Sequence, residues 1–212
     1  MAYDLEEQEK IDALKAWWER YGTLLMVAAL VVVAGIGGWR GWQWYQGHQS
    51  NQAMGYFEAL EAAADQKGDD AVLRIKAAST TLREEYAQSA YTSRGVLVAA
   101  RALERRGDLD GAREQLQWLL QDKTDPALVP VARLRLAGVL LEQKHYDEAL
   151  ALLDGTAPDG FAGLYADRRG DILAVQGKSS AAIEAWRDAL KALGTDPTAQ
   201  IVELKIDALT GV

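Results

Sequence analysis

The chain has 212 residues, 49% apolar and 25% charged, with a net charge of −8 and no cysteine. This is ordinary globular composition, and it leaves room beyond a membrane segment for one domain with a core of its own. The acidic balance argues against nucleic-acid binding, which needs a basic footprint, and against adherence to an anionic lipid surface. The absence of cysteine removes disulfides, thiol catalysis and cysteine-ligated metals, and leaves the compartment open.

Residues 1–20 are polar, with six acidic and three basic side chains. The next stretch, Tyr21 to Trp39, carries no formal charge over 19 residues. As a helix rising about 1.5 Å per residue it spans roughly 28 Å, close to the ~30 Å hydrocarbon core of a bilayer. Trp17 and Trp18 precede it, Trp39, Trp42 and Trp44 follow it, and Tyr21 and Tyr45 join them. Such amphipathic rings favour the headgroup boundary, so the two clusters mark two interfaces. The long acidic start and the bulky exit do not fit a cleavable signal peptide, and the segment is expected to remain as an anchor. Lys10, Lys15 and Arg20 stand before it and Arg40 alone closely follows. This bias predicts a cytoplasmic N-terminus and a C-terminal domain across the membrane, with Arg40 reaching back to the headgroups. Ala34 with Gly38, and Gly37 with Gly41, repeat small residues four apart, a spacing that lets a second helix approach closely.

From Gln49 onward helical periodicity dominates and strand-like alternation is absent. Helices are expected over about 49–66, the first continuing the membrane helix outward, and over about 70–86, with a turn at Gly68-Asp69. One phrase then recurs: a turn residue, four residues, and a small alanine. It reads Gly107 to Ala112, Lys144 to Ala149 and Gly177 to Ala182. Four residues beyond each alanine stands Leu116, Leu153 or Trp186; twelve before stands Ala100, Ala137 or Gly170; nine before stands Leu103, Leu140 or Leu173. Antiparallel helices pack closely only where one offers a small side chain to the other's bulk, and this spacing builds that contact once per repeat. A period near 34 residues is that of tetratricopeptide repeats. A last helix over about 197–210, N-capped by Asp196 with Pro197 at its first position, is expected to cover the open end. The predicted fold is therefore all-α: a cytoplasmic tail (1–20), a transmembrane helix with its aromatic belt (21–45) and a tetratricopeptide-like α-solenoid (46–212).

Catalytic chemistry finds no home in this pattern. His48 and His145 lack partners at metal-ligand spacing. The glycines around Gly37 fall in the membrane segment with no preceding strand, so they are no phosphate loop. The acidic pairs Asp69-Asp70 and Glu84-Glu85 sit at predicted helix ends. No nucleophile–base set assembles, and neither an enzyme, a metal nor a cofactor is expected. Two surfaces remain. One is the membrane helix face and its exit: Ala34, Gly37, Gly38, Trp39, Arg40, Gly41 and Trp42. The other is the face of the first helices of the repeats, which lines the inner side of such stacks: Leu97, Arg101, Glu104 and Arg105, then Leu134, Leu141 and Glu142, then Leu164, Asp167, Asp171 and Val175. This mix suits a peptide or partner helix, although periodicity alone does not separate groove leucines from inter-repeat core.

The exit phrase Gly38-Trp39-Arg40-Gly41-Trp42 resembles the Gly-Trp-Arg-x-Trp of the YfgM family. The acidic start from Asp4 to Glu9, the run Leu14-Lys15-Ala16-Trp17-Trp18 and the stretch Asp167 to Leu173, with Arg169-Gly170, are similar to that family's counterparts. The resemblance implies a single-pass bacterial inner-membrane protein with a periplasmic domain, an ancillary subunit of the SecYEG translocon. It further implies pairing with the membrane-anchored periplasmic chaperone PpiD and a part in passing exported client chains to periplasmic chaperones. The alternative is an anchored tetratricopeptide scaffold for another cell-envelope complex.

Overall fold

A computed structural model describes residues 2–121, 125–155, 157–158 and 160–211, with the side chains of residues 2–6, 8 and 69 outside the description. The acidic start and the side chain of Asp69, both invoked above, thus lie largely or wholly outside the described side chains. Among the described residues there are nine α-helices and no strand. They are α1 (Ala2–Asp65), α2 (Asp69–Glu85), α3 (Ala90–Glu104), α4 (Leu109–Gln121), α5 (Val129–Glu142), α6 (Tyr146–Leu152), α7 (Ala162–Val175), α8 (Ser179–Leu193) and α9 (Thr198–Thr210). A 3₁₀ turn, Pro126–Leu128, leads into α5. The chain divides into two units, Met1–Gln49 and Ser50–Val212.

The first unit is wholly helical where described and almost wholly exposed. Leu24, Leu30, Val31 and Val33 face outward, each about two-thirds exposed (66–69%). Its apolar stretch is long enough to cross a membrane, and very little of it is buried by the protein itself. A helix this apolar without a protein cover needs another apolar phase around it.

The second unit is a succession of helix pairs. The end of α1 stands before α2; α3 pairs with α4, α5 with α6 and α7 with α8, and α9 lies against α8. Each of the three expected repeat phrases closes its pair with the same turn. The amide N–H groups of Asp108, His145 and Lys178 donate to the carbonyls of Leu103, Leu140 and Leu173 at 3.0, 2.8 and 2.9 Å. Those of Gly107, Lys144 and Gly177 donate to Glu104, Leu141 and Ala174 at 2.9, 3.0 and 2.9 Å. Paired bonds of this kind satisfy the last carbonyls of the first helix and require a left-handed residue at the turn. Gly107 and Gly177 supply it with φ of 78° and 75°, and Lys144 adopts 65° without being glycine. Asp108 then caps α4, accepting the Gly111 amide at 3.0 Å.

The signature positions form the core. Ala100, Leu103, Ala112, Leu116, Ala137, Leu140, Ala149 and Leu153 are buried in one continuous cluster. Ala182 and Trp186 lie in a second cluster with Ala166, Ala189 and Val202 of α9. The final helix thus covers the last pair as expected. It starts one residue later than expected, at Thr198, while the Asp196 carboxylate still accepts the Thr198 amide at 2.8 Å. Arg106 pins the end of α1 to the next pair, donating to the carbonyls of Ala64 and Gln66 at 2.8 and 2.6 Å. These are helix-end acceptors with no intrahelical donor.

Candidate functional site

The second helices close their outer face with ion pairs. Lys76 of α2 meets Asp108 at 2.6 Å, Arg83 of α2 meets Glu114 of α4 at 2.9 Å, and Arg113 of α4 meets Glu148 of α6 at 2.7 Å. His145 sits in this row, with Nδ1 3.0 Å from Arg113 and 3.4 Å from Glu148. His48 lies elsewhere, its ring stacked on Trp44 at 5.7 Å.

The first helices present a different surface. A depression of about 240 Å³ is lined by Ala64 and Asp65 from α1, by Leu97, Val98, Arg101 and Ala102 from α3, by Arg105 at the end of α3, and by Arg135 from α5. Three of the expected groove residues, Leu97, Arg101 and Arg105, therefore come together in one place. Leu97, Leu134 and Leu141 are half-buried and pack on the margin of the main core, so they serve core and surface at once. Arg101, Arg105, Glu142 and Val175 are exposed, and Glu104 and Leu164 are half-buried.

Two arginines absent from the expected set complete this surface. Arg135 reaches back across α3 and donates to the Leu97 carbonyl at 3.2 Å. Arg168 reaches back from α7 over α5, where a Cβ on Gly138 would stand 3.4 Å from its Nη1. Both occupy the same repeat position, two residues before the small residue (Ala137 and Gly170). That coincidence was a signal available in the sequence. Burial, and after it the Arg101 charge, depresses the pKa of the Arg135 guanidinium, while Glu104 opposes the effect. Burial raises the pKa of the Glu104 carboxyl, with the Glu142 charge adding to it and Arg135, Arg168 and Arg101 opposing. The guanidinium groups and these carboxylates thus form one interacting field across α3, α5 and α7.

Farther along, Asp167 and Asp171 are already engaged. Lys205 of α9 sits 2.6 Å from one carboxylate and 2.7 Å from the other, and the Trp186 indole N–H donates to Asp171 at 3.3 Å. The last helix thereby takes up the groove position of the third repeat from within the chain.

On the first unit, Ala34, Gly37, Gly38, Trp39, Arg40, Gly41 and Trp42 are all exposed. A Cβ on Gly37, Gly38 or Gly41 would meet nothing within 4 Å, so the small-residue face is bare. The Trp17 ring lies tilted against Tyr21 at 5.8 Å and that of Trp42 against Tyr45 at 6.3 Å, one pair on each side of the apolar stretch.

Comparison with known proteins agrees with this architecture. Residues 15–211 match the tetratricopeptide repeat-like domain family. A protein of Neisseria gonorrhoeae named ancillary SecYEG translocon subunit is 30% identical over 210 residues, covering 99% of this chain and all of the relative. Its namesake in Escherichia coli is 30% identical over 205 residues, covering 96% and 97% of the two chains. That of Haemophilus influenzae is 29% identical over 209 residues, covering 99% of this chain and all of the relative. Similarity at this level along the whole length, joined to the repeat-like domain, places the chain in the YfgM family.

Proposed function

We propose that the protein is a non-enzymatic ancillary subunit of the SecYEG translocon. The full-length similarity to relatives bearing that name carries the reading. In it, residues 21–39 anchor the chain in the inner membrane with the N-terminus in the cytoplasm, as the lysines and arginine before the segment favour. The helix pairs stand in the periplasm. The bare small-residue face at Ala34, Gly37, Gly38 and Gly41 receives a partner helix. The first-helix face holds a segment of a membrane-anchored chaperone of the PpiD type, or of an exported client on its way to the periplasmic chaperones. Carboxylates, guanidinium groups and aliphatic side chains make a binding surface; they do not make a nucleophile with its base.

Photo-crosslinkers at Ala34 and Gly38, and separately at Leu134 and Leu141, test the reading in the full chain in its native membrane. Capture of SecYEG from the first pair and of the chaperone or a nascent exported chain from the second is expected. Capture of only another envelope complex overturns it in favour of a scaffold elsewhere. A reporter active only in the cytoplasm, fused after Val212, should be silent; activity there overturns the orientation.

A further inference from the structure

The depression between the end of α1, α3 and α5 has an unusual charge for this domain. Residues 46–212 hold 19 basic and 25 acidic side chains, a net charge of −6. Yet the lining of this depression carries three guanidinium groups, Arg101, Arg105 and Arg135, against the single carboxylate of Asp65. Among the described residues, the side chains of Arg101, Arg105 and Arg168 make no hydrogen bond or ion pair, and the half-buried Glu104 carboxyl is shared electrostatically by Arg101, Arg135 and Arg168, whereas Arg83 and Arg113 on the second helices are paired at 2.9 and 2.7 Å. Arg135 spends one N–H on the Leu97 carbonyl, which fixes its guanidinium at the pocket wall. Like charges so placed repel, and their close approach is relieved when an anion bridges them. Beside them lie the apolar side chains of Leu97, Val98 and Ala102. At about 240 Å³ the space admits side chains, not a folded element, and it is smaller than the ~300–1,000 Å³ usual for small-molecule sites.

We infer that this face binds an acidic segment of a partner protein, in which carboxylates flank an aliphatic side chain. The carboxylates meet Arg101, Arg105 and Arg135, a donor geometry that suits bidentate contact. The aliphatic side chain lies on Leu97 and Val98. Arg168, over Gly138, continues the cationic track toward α7 for a longer segment. The track stops there, because Lys205 already holds Asp167 and Asp171. The overall negative charge of the domain repels acidic peptides at long range, so selectivity for them must come from this local patch. The inference rests on the first-helix face being the binding face in the function proposed above, and it adds the chemistry of what is bound.

The test uses the full chain in mild detergent and a fluorescein-labelled peptide, Gly-Ser-Glu-Leu-Glu-Glu-Leu-Glu-Ser-Gly, beside its counterpart with every glutamate replaced by glutamine. Fluorescence anisotropy should show binding of the glutamate peptide, at least about tenfold weaker binding of the glutamine peptide, which is ~1.4 kcal/mol, and loss of the difference at high salt. Arg101→Gln should weaken the glutamate peptide by about tenfold. Arg94→Gln, an exposed arginine of α3 outside the depression, should leave it unchanged. Both positions are exposed, and unaltered melting curves will show that both variants are folded. Equal binding of the two peptides, no binding of the glutamate peptide, or an Arg101→Gln variant that binds as the parent does would each overturn the inference. Crosslinking to the translocon reads separately. If it succeeds while the peptide result fails, only the chemistry assigned here is wrong; if the peptide binds while crosslinking fails, only the translocon reading is.

Discussion

Gly170 of α7 lies against the indole of Trp186 of α8, so closely that a Cβ at position 170 would collide with the ring. Both residues are buried, and they are the small and large members of the last repeat signature. Gly170→Ala should therefore destabilise the domain by about 1–3 kcal/mol through overpacking, despite the ~1 kcal/mol that alanine gains in a helix. Trp186→Leu alone should also destabilise, by opening a cavity. The double variant should be more stable than the sum of the two losses predicts. Denaturant midpoints from circular dichroism check this; simple additivity would mean that the contact does not govern the pair.

Lys144 holds a left-handed conformation in a turn where its two counterparts are glycines. A side chain there costs about 1–2 kcal/mol, part of which glycine returns as unfolded-state entropy. Lys144→Gly should raise stability by up to about 1 kcal/mol. The reverse changes, Gly107→Ala and Gly177→Ala, should lower it. Thermal melts of the three variants provide the comparison.

Lys205 binds α9 to α7 through two carboxylates, with all three side chains roughly a quarter exposed (22–28%). Exposed pairs contribute little and buried ones leave a costly orphan charge when broken. Lys205→Met keeps the length of the stem and should cost about 1–3 kcal/mol, between those limits. Hydrogen exchange should rise in residues 198–210 first, because Val202 and Ile206 would be left to hold the helix.

Two carboxyl groups give the stability opposite responses to acid. The hydrogen bond from Lys76, helped by the Gly111 amide against the effect of burial, holds Asp108 below its ordinary value. Its contribution is present above the unfolded value near ~3.9 and is lost as pH falls through the lower folded value. Glu104 is raised, chiefly by burial and then by Glu142. Its ionised form is a burden on the fold at neutral pH, relieved as pH falls through the raised value toward the unfolded ~4.3. Asp108→Asn, which keeps an acceptor for the Gly111 amide, should lower the melting temperature at neutral pH and match the parent in strong acid. Glu104→Gln should raise it at neutral pH, the difference vanishing below about pH 4. Melting curves across pH 2.5–7.5, a range set by these ~4 values, measure both.

The helical unit of this fold was written in local spacing. Residues twelve before, nine before and four after each repeat alanine are neighbours along one or two helices, so Ala100, Leu103, Ala112 and Leu116 declare their shared burial before any tertiary contact is known. The turn residue and the apolar stretch from Tyr21 to Trp39 are likewise matters of short-range backbone chemistry and of length. Tertiary structure decided what the spacing could not encode. Arg135 bonds a carbonyl 38 residues earlier and Lys205 reaches carboxylates 34 and 38 residues earlier. Such contacts depend on the angle at which one pair stacks on the next, and that angle is the sum of many small packing choices. The sequence by itself thus determined the helices, their pairing and an apolar stretch long enough to cross a membrane. Only the stacked pairs determined that Asp167 and Asp171 would be closed off by Lys205, while the guanidinium groups of Arg101, Arg135 and Arg168 would gather around the Glu104 carboxyl.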